Sequence, residues 1–167
     1  MNRISEIDSP CQHYLFVCTA NTCRSPMGAV MMRNEVAGRL GVQVKDLERN
    51  GYVIKSAGPW AYQGMGISEE AQIVLAELGY PVPNRGAREL SSDLALEAAQ
   101  IFAMTRWHMQ QVLQKVPRAR NRIRLLNPDG RDIVDPIGMD LDTYRDVGRI
   151  IQKSVQGIVA DLFKDKK

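Results

Sequence analysis

Apolar and polar positions along this chain fall into blocks whose period changes from one block to the next. "HYLFVC", His13 to Cys18, is a short unbroken apolar run, the pattern of a strand buried on both faces. "MGAVMMRNEVAGRL" then carries helical spacing and stops at Gly41. Pro26 suits the first turn of that helix, and Ser25 suits its N-cap. "GYVIKSAG" predicts a second strand. The next helix opens at Ser68, has Glu69 and Glu70 where the macrodipole favours acids, and shows Ala71, Val74, Leu75 and Leu78 on one face. "AQIFAMT" predicts a third strand. Met109, Val112, Leu113 and Val116 mark a helix ended by Pro117, and "RIRLLN" predicts a fourth strand. The last helix has the most regular stripe: Tyr144, Val147, Ile151, Val155, Ile158 and Leu162 recur every three or four residues.

Strands alternating with helices predict an α/β protein with a four-stranded parallel sheet. Right-handed crossovers place helices on both faces, giving a three-layer α/β/α sandwich. Residues 1–11 are polar with a proline and are expected to form a loose lead-in. No repeat, low-complexity tract or linker divides the rest, so a single domain over 1–167 is expected. With 44% hydrophobic residues the chain can build a sizeable core without external staples.

Composition narrows the chemistry. A net charge of +3 suits an anionic substrate but does not by itself call for nucleic acid. The basic run "PRARNRIR" reads as a solvated turn into the fourth strand rather than a nucleic-acid site. There is no membrane-length apolar run and no signal-peptide core in "MNRISEIDSPCQ". Three cysteines, two of them close together, do not make a secreted disulfide framework. A reducing, cytoplasmic setting is therefore expected, in which a thiol stays available.

Those two close cysteines lie in "FVCTANTCRSP", at the end of the first strand, where sites of parallel sheets form. Zinc would want a second ligand pair, which is missing; a thioredoxin-like pair would want a shorter spacing; a nucleotide loop would want a Gly-Lys-Ser or Gly-Lys-Thr ending. No metal and no cofactor is expected. A nucleophile reading fits better. From Cys18 to Arg24 the chain can curl so that the N–H groups of Thr19, Ala20, Asn21, Thr22, Cys23 and Arg24 face one anion. The following helix adds its positive end, and Arg24 can fork onto two phosphate oxygens. The same field favours the Cys18 thiolate. Asn21 and Ser25 are placed to hydrogen-bond inside the loop. Expelling a leaving group also needs an acid. Asp135, in "VDPIG", is extended by its following proline, although Asp-Pro by spacing alone reads first as a turn pair.

The loop "VCTANTCRSP", "SAG" at Ser56 to Gly58, "AMT" and the late Asp135-Pro136 together resemble the low-molecular-weight protein tyrosine phosphatases, along nearly the whole chain. The resemblance implies a flavodoxin-like topology and a phosphorylated protein as substrate, with neither nucleic acid nor membrane as partner. It implies that Cys18 attacks phosphorus and forms a thiophosphate intermediate. Arg24 and the loop amides hold the phosphoryl oxygens. Asp135 protonates the leaving group and then helps activate water, while Ser25 hydrogen-bonds to the Cys18 thiolate and Asn21 braces the loop. Cys23 has two readings: a reversible disulfide partner for Cys18, as in some members, or a small loop side chain. Cys11 receives no role.

Departures from the family pattern matter too. Ala20 stands where the family usually has glycine, which would be strained if that position required positive φ. Ile137 and Gly138 stand where tyrosine-specific members commonly carry aromatic residues, leaving Trp60 and Ile137 as candidate substrate walls. Thr22 and "DPIG" resemble the bacterial protein arginine phosphatases, so phosphoarginine is the alternative to phosphotyrosine. A thiol-dependent arsenate reductase shares the fold and loop but relays oxidation to later cysteines, and none follows Cys23. A non-catalytic phosphate-binding module would need neither Cys18 nor Asp135.

Overall fold

The computed structural model describes residues 10–166, so most of the predicted lead-in lies outside the described residues. Four strands, β1 (Gln12–Val17), β2 (Tyr52–Ala57), β3 (Gln100–Ala103) and β4 (Ile123–Leu125), alternate with helices α1 (Arg24–Leu40), α2 (Glu69–Glu77), α3 (Ser92–Glu97), α4 (Arg106–Lys115) and α5 (Leu141–Leu162). All strand pairs are parallel, in the order β2-β1-β3-β4. This is the flavodoxin-like order, in which the chain reverses its direction of winding between β1 and β3.

Alternation along β1 builds two cores. Tyr14 and Phe16 face one side, with Phe102, Met104 and the buried stripes of α1, α2 and α5. Leu15 and Val17 face the other, with Ile101, Ala103 and residues of α3 and α4. Burying one large side chain such as Phe16, fully covered here, stabilises the fold by about 1.5–3 kcal/mol. Its ring lies over α1 at Gly28, where an added Cβ would sit 2.6 Å from Phe16 Cδ1. The predicted stripe of α5 is buried from Tyr144 to Ile158, and Leu162 packs partly covered at its end.

Two local readings change. Helix α1 begins at Arg24, with Cys23 in the cap position and no side-chain cap, so Ser25 is a first-turn residue and not the N-cap. Its hydroxyl is engaged elsewhere, as described below. Helix α3 has too few turns to show a period; its signal is Ser91, whose Oγ accepts from the Leu94 N–H at 3.2 Å. The basic run forms a 3-10 helix, Pro117–Arg122, and Arg122 Nη1 donates to the carbonyl oxygens of Ala95 and Ala98.

Register sets the site. Val17 pairs level with Ala57 of β2 and with Ala103 of β3. Cys18, Gly58 and Met104 therefore leave the sheet side by side, at its carboxyl edge and at the reversal point.

Candidate active site

Cys18 is the first residue past β1, and the turn from Cys18 to Cys23 feeds directly into α1. Among the described hydrogen bonds, no N–H from Thr19 to Arg24 donates to a protein group. A run of unspent donors at a helix N-terminus is suited to an anion. Asn21 is the non-glycine residue in the left-handed region, at φ 58°, a conformation asparagine tolerates better than most. Ala20 is outside that region, so replacing the usual glycine there brings no backbone strain. Gly58 closes the loop from β2: a Cβ there would lie 2.3 Å from the Thr19 carbonyl oxygen.

A directed chain of donors runs through the loop to the sulfur. Arg85 Nη2 donates to Asn21 Oδ1, which also accepts from the Arg88 N–H at 2.9 Å. Asn21 Nδ2 donates to Ser25 Oγ at 2.7 Å and to Ser56 Oγ at 2.9 Å. Ser25 Oγ accepts there and keeps its own proton, which reaches Cys18 Sγ at 2.9 Å or, at longer range, the Ala57 carbonyl at 3.5 Å. This explains why Ser25 does not cap the helix. Arg85 is the half-buried cation behind the network. Burial, then Arg88 and Arg33, pull its guanidinium down to about 10, and Cys18 opposes them; it stays charged at neutral pH.

Arg24 is 2% exposed. Its Nη1 donates to the Ile133 carbonyl at 2.8 Å and its Nη2 reaches Thr19 Oγ1 at 3.4 Å. The same Nη2 lies 3.1 Å from Asp135 Oδ2, while Arg24 Nε is buried without a partner. The guanidinium is thus held from both terminal nitrogens, with its Nε–H unspent. Asp135 is half-exposed, and its Oδ1 accepts from the Ile137 N–H at 3.2 Å. The turn reading and the site reading are both true of it: the Asx-type turn aims the other oxygen at the loop.

Around the mouth, Ile137 is 63% exposed and Trp60 62%. The Trp60 N–H donates to the Thr19 carbonyl at 3.0 Å, and its ring meets Trp107 edge-on at 5.2 Å. Thr22 is buried, and its hydroxyl finds only Cys23 Sγ, at 3.7 Å, among the described hydrogen bonds. Cys23 is buried in the same core as Cys18, with its sulfur near Ser68 Oγ (3.3 Å) and the Tyr144 hydroxyl (3.7 Å). All three cysteines are free, and Cys11 is exposed. Among the described residues no set of three or more His, Cys, Asp or Glu is placed to hold a metal, and no helix is long and apolar enough to cross a membrane.

Ser56, Arg85 and His108 escaped the pattern reading. Ser56 sits in the quoted "SAG", but nothing in a strand pattern says which hydroxyl meets a loop 35 residues earlier. Arg85 lies in an aperiodic loop. His108 could have been found by its spacing from Thr105, which caps α4 and binds the ring of the same histidine.

This arrangement of thiol, clamped arginine and facing carboxylate has relatives. The chain is 34% identical over 136 residues to the protein-arginine-phosphatase of Geobacillus stearothermophilus, covering 78% of this chain and 82% of that protein. It is 33% identical over 136 residues to the low molecular weight protein-tyrosine-phosphatase PtpB of Staphylococcus haemolyticus, covering 78% and 85%. A solved structure of the YwlE arginine phosphatase, a mutant with a phosphorylated active-site serine, superposes with a TM-score of 0.80 at 26% identity, covering 93% of this chain and 98% of that one. The family model described as low molecular weight phosphotyrosine protein phosphatase matches residues 13–167. With the strand order, the loop and the match all running the length of the described chain, it belongs to the low molecular weight phosphotyrosine protein phosphatase family.

Proposed function

We propose that the chain is a cysteine-dependent protein phosphatase that uses Cys18, Arg24 and Asp135. The observation that carries this reading is the convergence on one loop of a thiol 2.9 Å from a hydroxyl donor and an arginine 3.1 Å from a carboxylate. Cys18 thiolate attacks phosphorus, an S–P bond forms, and the bond to the leaving group breaks as Asp135 hands that group a proton. Water then attacks the thiophosphate with its proton going to Asp135, the S–P bond breaks, and phosphate leaves with the thiolate restored. The amides from Thr19 to Arg24, with the Arg24 guanidinium, bear the charge that spreads over the equatorial oxygens. Ser25 and Asn21 hold the thiolate and the loop, and Trp60 and Ile137 flank the entering side chain.

Phosphotyrosine in proteins is the principal substrate reading. Phosphoarginine is the second, and a specific observation favours it: Thr22 is small, buried beside the loop and hydroxylated, with only a sulfur contact to occupy it. The protein-arginine-phosphatase named above supports the same reading.

The test of the reaction is hydrolysis of a simple aryl phosphate, which should be detectable in the wild type and lost in Cys18→Ser; full activity in that variant would overturn the mechanism. The test of the substrate is turnover of phosphotyrosine and phosphoarginine peptides by the wild type and by Thr22→Ile. A ratio that the substitution leaves unmoved removes Thr22 from selectivity.

A further inference from the structure

His108 is 1% exposed, yet it is a polar residue bound at both ring nitrogens. Nδ1 lies 2.8 Å from Thr105 Oγ1 and Nε2 lies 2.9 Å from Thr19 Oγ1, the residue after the nucleophile. Two neutral tautomers fit these contacts, and they differ in what they leave the Thr19 hydroxyl to do. Thr105 is the N-cap of α4, and its Oγ1 accepts from the His108 N–H at 3.3 Å. That bond leaves the Thr105 hydroxyl its own proton and one lone pair, so the Nδ1 contact runs in the direction that the ring tautomer sets; where Thr105 gives its proton, Nδ1 accepts. In a neutral ring the proton then sits on Nε2 and is donated to Thr19 Oγ1. Thr19 Oγ1 also receives Arg24 Nη2 at 3.4 Å. With both lone pairs engaged, the Thr19 hydroxyl must give its own proton elsewhere, and it makes no further bond among the described residues.

We propose that His108 is a positioning residue of the phosphate loop: a fixed relay Thr105–His108–Thr19 sets the Thr19 side chain and leaves its hydroxyl proton as an added donor to the bound phosphoryl group. The relay also holds one edge of the Arg24 plane. This rests on the phosphatase reading above. Burial and the Arg24 charge support the neutral form. Burial first, then Arg24, push the His108 imidazole down to about 4, against the opposing pull of Asp135 and Asp132.

The experiment compares His108→Phe, His108→Gln, Thr19→Val and Thr19→Ser with the wild type. Each is assayed for aryl phosphate hydrolysis and, by calorimetry, for binding of inorganic phosphate in a Cys18→Ser background. Glutamine places an N–H near the site of Nε2; phenylalanine fills the space without a donor. His108→Phe and Thr19→Val should each lower kcat/KM about tenfold and weaken phosphate binding in step. His108→Gln and Thr19→Ser should recover most of both, and the Phe-Val pair should be no worse than either alone. Nitrogen NMR of the wild type should show the Nε2–H tautomer at neutral pH. Glutamine no better than phenylalanine, additive losses in the pair, or an Nδ1–H tautomer would overturn the proposal. The two Thr19 variants keep it testable if a His108 variant does not fold. A wild type without phosphatase activity that still loses phosphate binding in Thr19→Val would fault the functional reading and not the relay.

Discussion

Asp135 is tied to two places at once: Oδ2 to Arg24 at 3.1 Å and Oδ1 to the backbone of Ile137 at 3.2 Å. Removing its carboxyl frees an arginine that the Ile133 carbonyl still holds, so the loop should survive while the proton donor is lost. For Asp135→Ala, kcat on substrates with poor leaving groups is expected to fall by about a hundredfold or more. A highly activated aryl phosphate needs little help from an acid and should suffer much less. Equal losses on both would move the acid role elsewhere. The same logic separates Ser25 from a helix cap. It meets the thiol, so Ser25→Ala is expected to act on turnover far more than on stability.

At the scale of elements, the site is the joint between β1 and α1, with β2 pressed against its back. That joint needs Gly58. Any side chain there meets the Thr19 carbonyl oxygen at 2.3 Å and that of Cys18 at 2.8 Å, and backbone cannot swing aside as a side chain does. Gly58→Ala should therefore push the loop off its register and cost about 1–3 kcal/mol of stability. Its kcat/KM should drop by more than that loss explains, because the loop N–H groups move with it; thermal unfolding and aryl phosphate kinetics measured on one preparation would show it. Unchanged kinetics would mean that the loop tolerates a shift of several tenths of an ångström.

For the molecule as a whole, the sheet order brings groups from both edges to the reversal point. The loop before α3 supplies Arg85 and Arg88, α4 supplies His108, and the segment after β4 supplies Asp135. Burying a neutral histidine there has a consequence for acid stability. The folded ring titrates near 4, against 6.5 when free, so between those values the unfolded chain binds more protons and unfolding becomes easier as pH falls. The loss is on the order of 3 kcal/mol when complete. Urea midpoints measured downward from neutral pH should decline across that window in the wild type and decline much less in His108→Gln. Asp129, Asp140 and Asp161 are held below the ordinary carboxylate value by side-chain hydrogen bonds from Arg131, Thr143 and Lys164 respectively. Their contribution is present above that value and is lost only at lower pH than the histidine's.

Much of this was legible along the chain. Strands with alternating neighbours and helices with a regular apolar stripe are set by local period. The parallel three-layer arrangement follows, because each element has a face or stripe to bury. The loop was legible as well, since Cys18, Asn21, Arg24 and Ser25 lie within one turn of one another and their chemistry is local. What the sequence could not supply were relations across the fold. By local pattern Ser25 reads as a cap, and only the family resemblance sends its hydroxyl to the thiol; the fold puts its oxygen 2.9 Å from the Cys18 sulfur. By spacing alone Asp135 reads as a turn residue, and only the family resemblance offered it as the acid; the fold sets it 3.1 Å from Arg24. Arg85 has no local period or spacing to mark it, and the spacing of His108 from Thr105 gives no sign of its bond to Thr19, because these partners are 64 and 89 residues away. Those pairings exist only once β1, β2 and β3 end level at one edge. Hydrogen bonds depend on ångström distances between groups far apart in the chain, and only the packed sheet fixes those distances.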